Sequence, residues 1–187
     1  MAHIHTKHNQ HDTTISTYIV MLDGAQPKFL LHMHKKFGKI IQLGGHVELD
    51  ETPWQAVQHE LIEESGYTLA ELDVLQPFEE KVHIDNVVVA PVPFIVNTFK
   101  VNDIHYHDDL GFVFVATRKP MSLPLDGESK DLRWLTIADM KTMHADSTIP
   151  QNVIDLCQAI LAIAIPMYHR IPAMSYSLEK PVMTGLE

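Results

Sequence analysis

The chain is 187 residues long, 45% hydrophobic and carries a formal net charge of -10, which suits one globular domain with a buried core. The acidic balance opposes non-specific binding to nucleic acid or an anionic bilayer, both of which need a surplus of Lys and Arg, so an anionic ligand requires a local counter-charge. A single cysteine, Cys157, offers no intrachain disulfide and makes a reducing cytoplasm the expected setting.

Residues 1–14 have no apolar signal core and contain His3, His5, His8 and His11. Their composition reads as a flexible polar leader, with a metal-binding tract as the other reading of the histidines. Thr17–Leu22 and Lys28–His34 are β-rich runs separated by Asp23-Gly24 and Pro27, which predicts neighbouring strands. Lys39–Leu43 is a third strand and leads straight into Gly44-Gly45.

A helix is predicted from about Pro53 to Ser65. Thr52 can cap it, Pro53 suits the first helical position, Gln55 completes a capping box and Gly66 is a suitable stop. Trp54, Val57 and Leu61 supply its apolar stripe.

Val87–Val101 and Gly111–Thr117 are later strands, the first broken by Pro91 and Pro93, which suggests an edge or a bulge. Leu132–Leu135 is a short strand followed by a helical turn, and Gln151–Ile163 is a helix introduced by Ser147-Thr148 and Pro150. Trp54, Trp134 and Cys157 are read as core residues. The longest apolar run, Ala159 to Met167, is far short of the ~20 residues that span a bilayer, so no membrane partner is expected. Beyond it, Pro166, Pro172 and Pro181 punctuate a tail without clear period. The organisation expected is a leader over 1–14, one domain over 15–163 and a tail over 164–187, which could reach a second subunit in a homodimer. Strands, one helix, more strands and one helix favour an α/β fold with a mixed sheet between helices over a regular βαβ array.

The predicted helix near residue 60 poses an electrostatic problem. Residues on a helix are about 100° apart, so Glu60, Glu63 and Glu64 share one face of its last turn. Like charges at these spacings and carboxylates at a helix C-terminus each cost a few tenths of a kcal/mol or more, and the turn contains no Lys or Arg. A solvated acidic face is one reading. The other is that a divalent cation supplies the missing charge, since hard oxygen donors of this kind suit Mg²⁺ or Mn²⁺.

Spacing separates the two. Gly45, five residues, Glu51, seven residues, then His59-Glu60-Leu61-Ile62-Glu63-Glu64-Ser65-Gly66-Tyr67 resembles the Nudix box, G-x5-E-x7-R-E-U-x-E-E-x-G-U with U apolar, at every specified position but one. The resemblance implies an α/β/α sandwich with a mixed β-sheet. It also implies hydrolysis of a nucleoside diphosphate linked to another moiety, a small-molecule partner. Carried over to this chain, it makes the Gly44 carbonyl, Glu60 and Glu64 the metal ligands. Glu63 and Glu128, the latter in the loop before LRWL, become the two candidates for the base that takes the proton from the attacking water. His59 stands where the family has Arg, and is expected to orient Glu51 less firmly. A degenerate, non-catalytic Nudix domain is therefore the alternative. An isopentenyl diphosphate isomerase-like activity is discounted because Gly44-Gly45-His46 lacks the cysteine that enzyme uses there, and an RNA 5′-end pyrophosphohydrolase is a third alternative, which the acidic balance speaks against.

Asp103 to Asp109 places His105, His107 and Asp109 at alternating positions, on one face if the segment is extended. They are candidates for substrate binding or a second metal, with a polar loop at a strand end as the plain reading. Lys35, Lys36 and Lys39 are the nearest positive cluster to the metal loop, either facing phosphates or solvated in a turn.

Overall fold

A computed structural model describes residues 9–180, so His3, His5 and His8 lie outside the described residues. Among the described residues the core is a nine-stranded mixed sheet. Its centre is a long parallel pair, β1 (Gln10–Met21) beside β7 (His105–Ala116), in register from Gln10 opposite His105 to Met21 opposite Ala116. The remaining pairings are antiparallel. β2 (Lys28–His34) returns along β1 and carries β3 (Lys39–Ile41) and β8 (Leu132–Leu135). β4 (Leu43–His46) lies along the first half of β1. β5 (Leu72–Gln76) and β6 (Ile95–Asn102) flank β7, and β9 (His169–Pro172) pairs with β5.

Alternation along the strands builds two cores. Ile15, Ile19, Leu30, Phe112 and Phe114 face α1 (Pro53–Glu60) through Trp54 and Val57. Tyr18, Val20, Phe29, Leu31, Val113 and Val115 face α3 (Gln151–Ala159) through Val153, Ile154 and Cys157. The result is an α/β/α sandwich around a mixed sheet, as the resemblance implied.

Several boundaries differ from the sequence reading. β1 starts at Gln10, not Thr17, and takes in residues 10–14 of the expected leader. Thr14 and Ser16 are buried there, and their polarity hides the strand from any hydropathy pattern. β5 and β9 were not foreseen. β9 lies in the expected tail, and just beyond it Ala173 and Tyr176 join the core around Trp54. The turn after β8 is a full helix, α2 (Ile137–Ala145), capped by Thr136. The C-terminal helix runs past Ile163, through a π-helical turn at Ile160–Ala164 and a short turn at Ile165–Met167. Pro91 and Pro93 leave residues 87–93 irregular, and β6, which pairs with β7, carries a register shift between Lys100 and Asn102. Among the described residues no helix is long and apolar enough to cross a membrane.

Candidate active site

Thr52 caps α1 through the Gln55 amide, Gln55 answers the Thr52 N–H, and Pro53 opens the helix as expected. The helix does not remain α-helical to Ser65. Leu61–Ser65 forms a wider π-helical turn that carries Glu63 and Glu64, a local expansion common at functional sites. Gly66 ends it in the left-handed conformation at φ 76°.

Glu60 and Glu64 both reach the glycine pair of β4. The Gly44 N–H donates to Glu64 Oε2 at 2.8 Å. A β-carbon on Gly45 would lie 2.0 Å from Glu60 Oε1, and one on Gly44, at φ 144°, would lie 2.1 Å from the Ile15 carbonyl oxygen. Gly44 is therefore required by close approach to backbone, whereas Gly45 leaves room for the end of the Glu60 side chain.

Glu128 joins them from the loop before β8. That loop is fastened to the helix end: the Leu125 N–H donates to the Glu63 carbonyl at 2.8 Å and the Glu128 N–H to the Leu125 carbonyl at 3.1 Å. The Lys35 ammonium donates to the carbonyl of Gly127, next to Glu128. A side chain at Gly66 would strike the Ser122 carbonyl.

These carboxylates repel one another in a poorly solvated place. Burial pushes Glu60 up to about 7, with Glu63, Glu128 and Glu51 adding to it and His59 opposing. Burial likewise pushes Glu64 up to about 8, with Glu60, Glu128 and Glu63 adding and the Gly44 amide opposing. Among the described residues no Lys or Arg forms an ion pair with either glutamate.

The donor set has the chemistry of a hard divalent-cation site: the carboxylate oxygens of buried Glu64 and half-buried Glu60 beside a glycine loop whose carbonyls can also coordinate. Among the described residues no group of three or more His, Cys, Asp or Glu side chains is placed to hold a metal ion. An open set suits Mg²⁺, which uses few protein carboxylates and keeps positions for water and phosphate oxygens.

His59 bridges two of the acids. Nδ1 is 3.2 Å from Glu51 Oε1, and Nε2 is 3.0 Å from Glu63 Oε1 one turn on. Burial works against charge on the ring, but the Glu63 hydrogen bond and the charges of Glu63, Glu51 and Glu60 outweigh it and hold the pKa above its ordinary value.

A cleft of about 420 Å³ opens beside Gly44-Gly45-His46. His105, His107 and Asp109 line it from β7, so this stretch is strand and not the polar loop considered above. His105 and Asp109 form the buried floor: His105 Nε2 is 3.1 Å from Asp12 Oδ2, and Asp109 accepts from Thr14 Oγ1 at 2.9 Å and Ser16 Oγ at 3.0 Å. Burial raises the pKa of Asp109, against the hydrogen bonds from Thr14, Ser16 and Asn97. His107 stands higher, with Nε2 3.2 Å from Nε2 of His46. Of the lysine cluster, Lys36 lines the cleft, whereas Lys39 donates to the Ser147 carbonyl at 2.6 Å. Lys36 thus gives the cleft a cationic side chain, beside the imidazoles of His34, His46 and His107.

A model of the NUDIX domain matches residues 12–155. The chain belongs to the Nudix family. A Nudix-family hydrolase from Clostridium perfringens is 30% identical, with 81% of this chain and 96% of that one covered and a TM-score of 0.63. The fold is shared by the Caenorhabditis elegans Ap4A hydrolase, at 18% identity, 82% and 98% coverage and a TM-score of 0.59. The NUDIX domain of Shewanella oneidensis NrtR, solved with ADP ribose, shares it at 14% identity, 71% and 77% coverage and a TM-score of 0.51. No curated protein matches the chain.

Within this Nudix domain the box residues His59, Glu60, Glu63 and Glu64 lie together beside Gly44, which precedes the box, and Glu128 comes to them from 64 residues beyond Glu64 in the chain. Cys157 lies in the core on the opposite face of the sheet, and burial pushes its thiol up to about 12, so it has no access to the Nudix glutamates. Among the cleft residues that the sequence reading does not single out are Phe37 and Phe99, each about half exposed. No local pattern marks them. A third residue, His32, did leave a signal, because it occupies the same strand face as the core residue Leu30.

Proposed function

We propose that this Nudix protein is a metal-dependent hydrolase that cleaves the diphosphate bond of a nucleoside diphosphate joined to another moiety. The observation that carries the proposal is the pair of carboxylates without a Lys or Arg partner among the described residues, buried Glu64 and half-buried Glu60, set against the Gly44-Gly45 loop with Glu128 close by. Glu60, Glu64 and the Gly44 carbonyl would hold Mg²⁺ or Mn²⁺. When bound there, a divalent cation neutralises phosphate oxygens, lowers the pKa of an attacking water and stabilises the leaving group.

The protein's own groups divide the remaining work. The Gly44 N–H fixes one oxygen of Glu64, and His59 ties the helix face to Glu51. Glu63 is already engaged by His59 at 3.0 Å, which favours Glu128 as the group that takes the proton from water. Lys36, His46 and His107 face the cleft where the rest of the substrate would lie, over the floor of His105 and Asp109. Two proteins of the same fold are described with compounds of this class, Ap4A and ADP ribose, which supports the class without naming the leaving group. The non-catalytic alternative gains no support from the box acids, since Glu51, Glu60, Glu63 and Glu64 are all retained.

The test is a panel of nucleoside diphosphate derivatives incubated with Mg²⁺ or Mn²⁺ and read by phosphate release after a phosphatase step. Turnover of at least one compound, abolished by EDTA and by Glu64→Gln in a folded protein, is expected. Full activity in excess EDTA would remove the metal from the reaction.

A further inference from the structure

His32 is a buried residue that the reaction described above does not use. It lies on β2 at 2% exposure, and among the described residues neither ring nitrogen has a hydrogen-bond partner. Burial, reinforced by His34, pushes its pKa down to about 4, so it is a neutral imidazole with one N–H and one lone pair, both withdrawn from water. Leaving buried polar atoms unpaired costs on the order of 1–3 kcal/mol. The strand phase calls for an apolar side chain, as at Leu30 two residues earlier. A residue that breaks the local rule at this cost is expected where function requires it.

The group in reach is Glu64. His32 Nδ1 is 3.7 Å from Glu64 Oε1, while the other oxygen, Oε2, already accepts the Gly44 N–H at 2.8 Å. A closure of roughly 0.5–1 Å would make a normal hydrogen bond. The ring also meets His34 edge-on, with centroids 5.6 Å apart, and His34 lines the cleft.

We infer that His32 is a positioning residue for Glu64, donating Nδ1–H to Oε1 so that the carboxylate, held at both oxygens, presents one fixed geometry to a divalent cation. Partners that orient a ligating group in this way commonly contribute about 10- to 100-fold in metal affinity. The inference rests on the metal role proposed for Glu64.

Its test is Mn²⁺ binding by calorimetry on the metal-free protein without substrate, alongside thermal unfolding. His32→Leu removes the unpaired polar atoms and keeps an apolar fill. It is expected to leave the Tm unchanged or higher while weakening Mn²⁺ at least tenfold, a pairing of effects that a purely structural residue would not give. His32→Asn places an amide N–H close to the position of Nδ1 and should recover most of the affinity, whereas His32→Gln carries its amide one bond too far and should not. If the Leu variant does not fold, the comparison of Asn with Gln decides, and equal affinities overturn the inference. Wild-type affinity in His32→Leu, with weakened binding in Glu64→Gln, overturns it for His32 alone. A wild type that takes up no Mn²⁺, or an unchanged Glu64→Gln, overturns the metal role of Glu64 and this inference together.

Discussion

Glu60 lies so close over Gly45 that a β-carbon on the glycine would come within 2.0 Å of its Oε1. The strand leading to the helix therefore has to be bare at that point for the carboxylate to lodge there. Gly45→Ala should displace Glu60 by about an ångström or more, and a misplacement of that size costs on the order of 10²-fold in rate. Because the displaced group is a side-chain end, circular dichroism and Tm should stay near wild type. A Gly45→Ala protein that turns substrate over at the wild-type rate would show that the position of Glu60 does not matter.

Glu63 and Glu128 compete for the role of base. Glu63 shares its carboxylate with His59 at 3.0 Å, while Glu128 stands close enough to Glu60 and Glu64 to raise the pKa of each. Glu128→Gln should lower kcat by about 10²- to 10⁴-fold with little change in Mn²⁺ affinity. Glu63→Gln should have the smaller effect. The two variants measured with one substrate decide the matter, and a Glu128→Gln enzyme at wild-type rate ends its candidacy.

How much of this was legible beforehand depended on the range of the interactions. The capping box at Thr52-Gln55, the stop at Gly66 and the glutamate spacing are local, and they led from the sequence to α1 and its acid face. The convergence of Glu128 on that face needs β8 paired with β2 and the Ser122–Leu125 chain packed on the helix end, which no local pattern encodes. β1 was read too short because Thr14 and Ser16 are buried polar residues whose partner, Asp109, lies more than 90 residues away. The π-helical turn at Leu61–Ser65 is likewise invisible in the sequence, since an α-helical periodicity fits the same residues. β9 is likewise not legible locally, because only its pairing with β5 makes His169–Pro172 a strand, whereas Glu128 entered as a candidate only through the family resemblance.

The raised pKa values of Glu60 and Glu64 imply a stability that depends on pH. Both carboxyls ionise from 4.5 when unperturbed but from about 7 and about 8 in the folded, metal-free protein. The folded state therefore holds their protons more tightly than the unfolded state, and stability is lost as pH rises from about 4.5 through 8. Metal-free protein should show a Tm that falls by at least a few degrees between pH 5 and 8.5. Mg²⁺ should restore most at the alkaline end, where the carboxylates are ionised and free to bind it. Glu64→Gln should flatten the profile and remove much of the Mg²⁺ effect. A wild-type Tm that rises over this interval in EDTA would contradict the burial of these charges.

His59 holds Glu51 at 3.2 Å with one nitrogen and Glu63 at 3.0 Å with the other, so a single imidazole bridges the loop and the helix where the family pattern has an arginine. The ring's pKa is raised in the folded state. The bridge is therefore fully charged below about 6.5, the ordinary histidine value, and its contribution is lost as pH rises through the folded pKa. A guanidinium keeps its charge throughout and can grip one carboxylate with two N–H groups. His59→Arg should accordingly hold Glu51 more firmly, raise activity or Tm, and flatten the change in rate between about pH 6 and 8. It should also release Glu63 from its present contact, so any added rate that depends on Glu63 would appear only in this background and vanish in the His59→Arg, Glu63→Gln pair. A His59→Arg protein that folds normally but loses turnover would mean that the site is built around the shorter ring, with histidine as its fitted residue and not a weakened substitute.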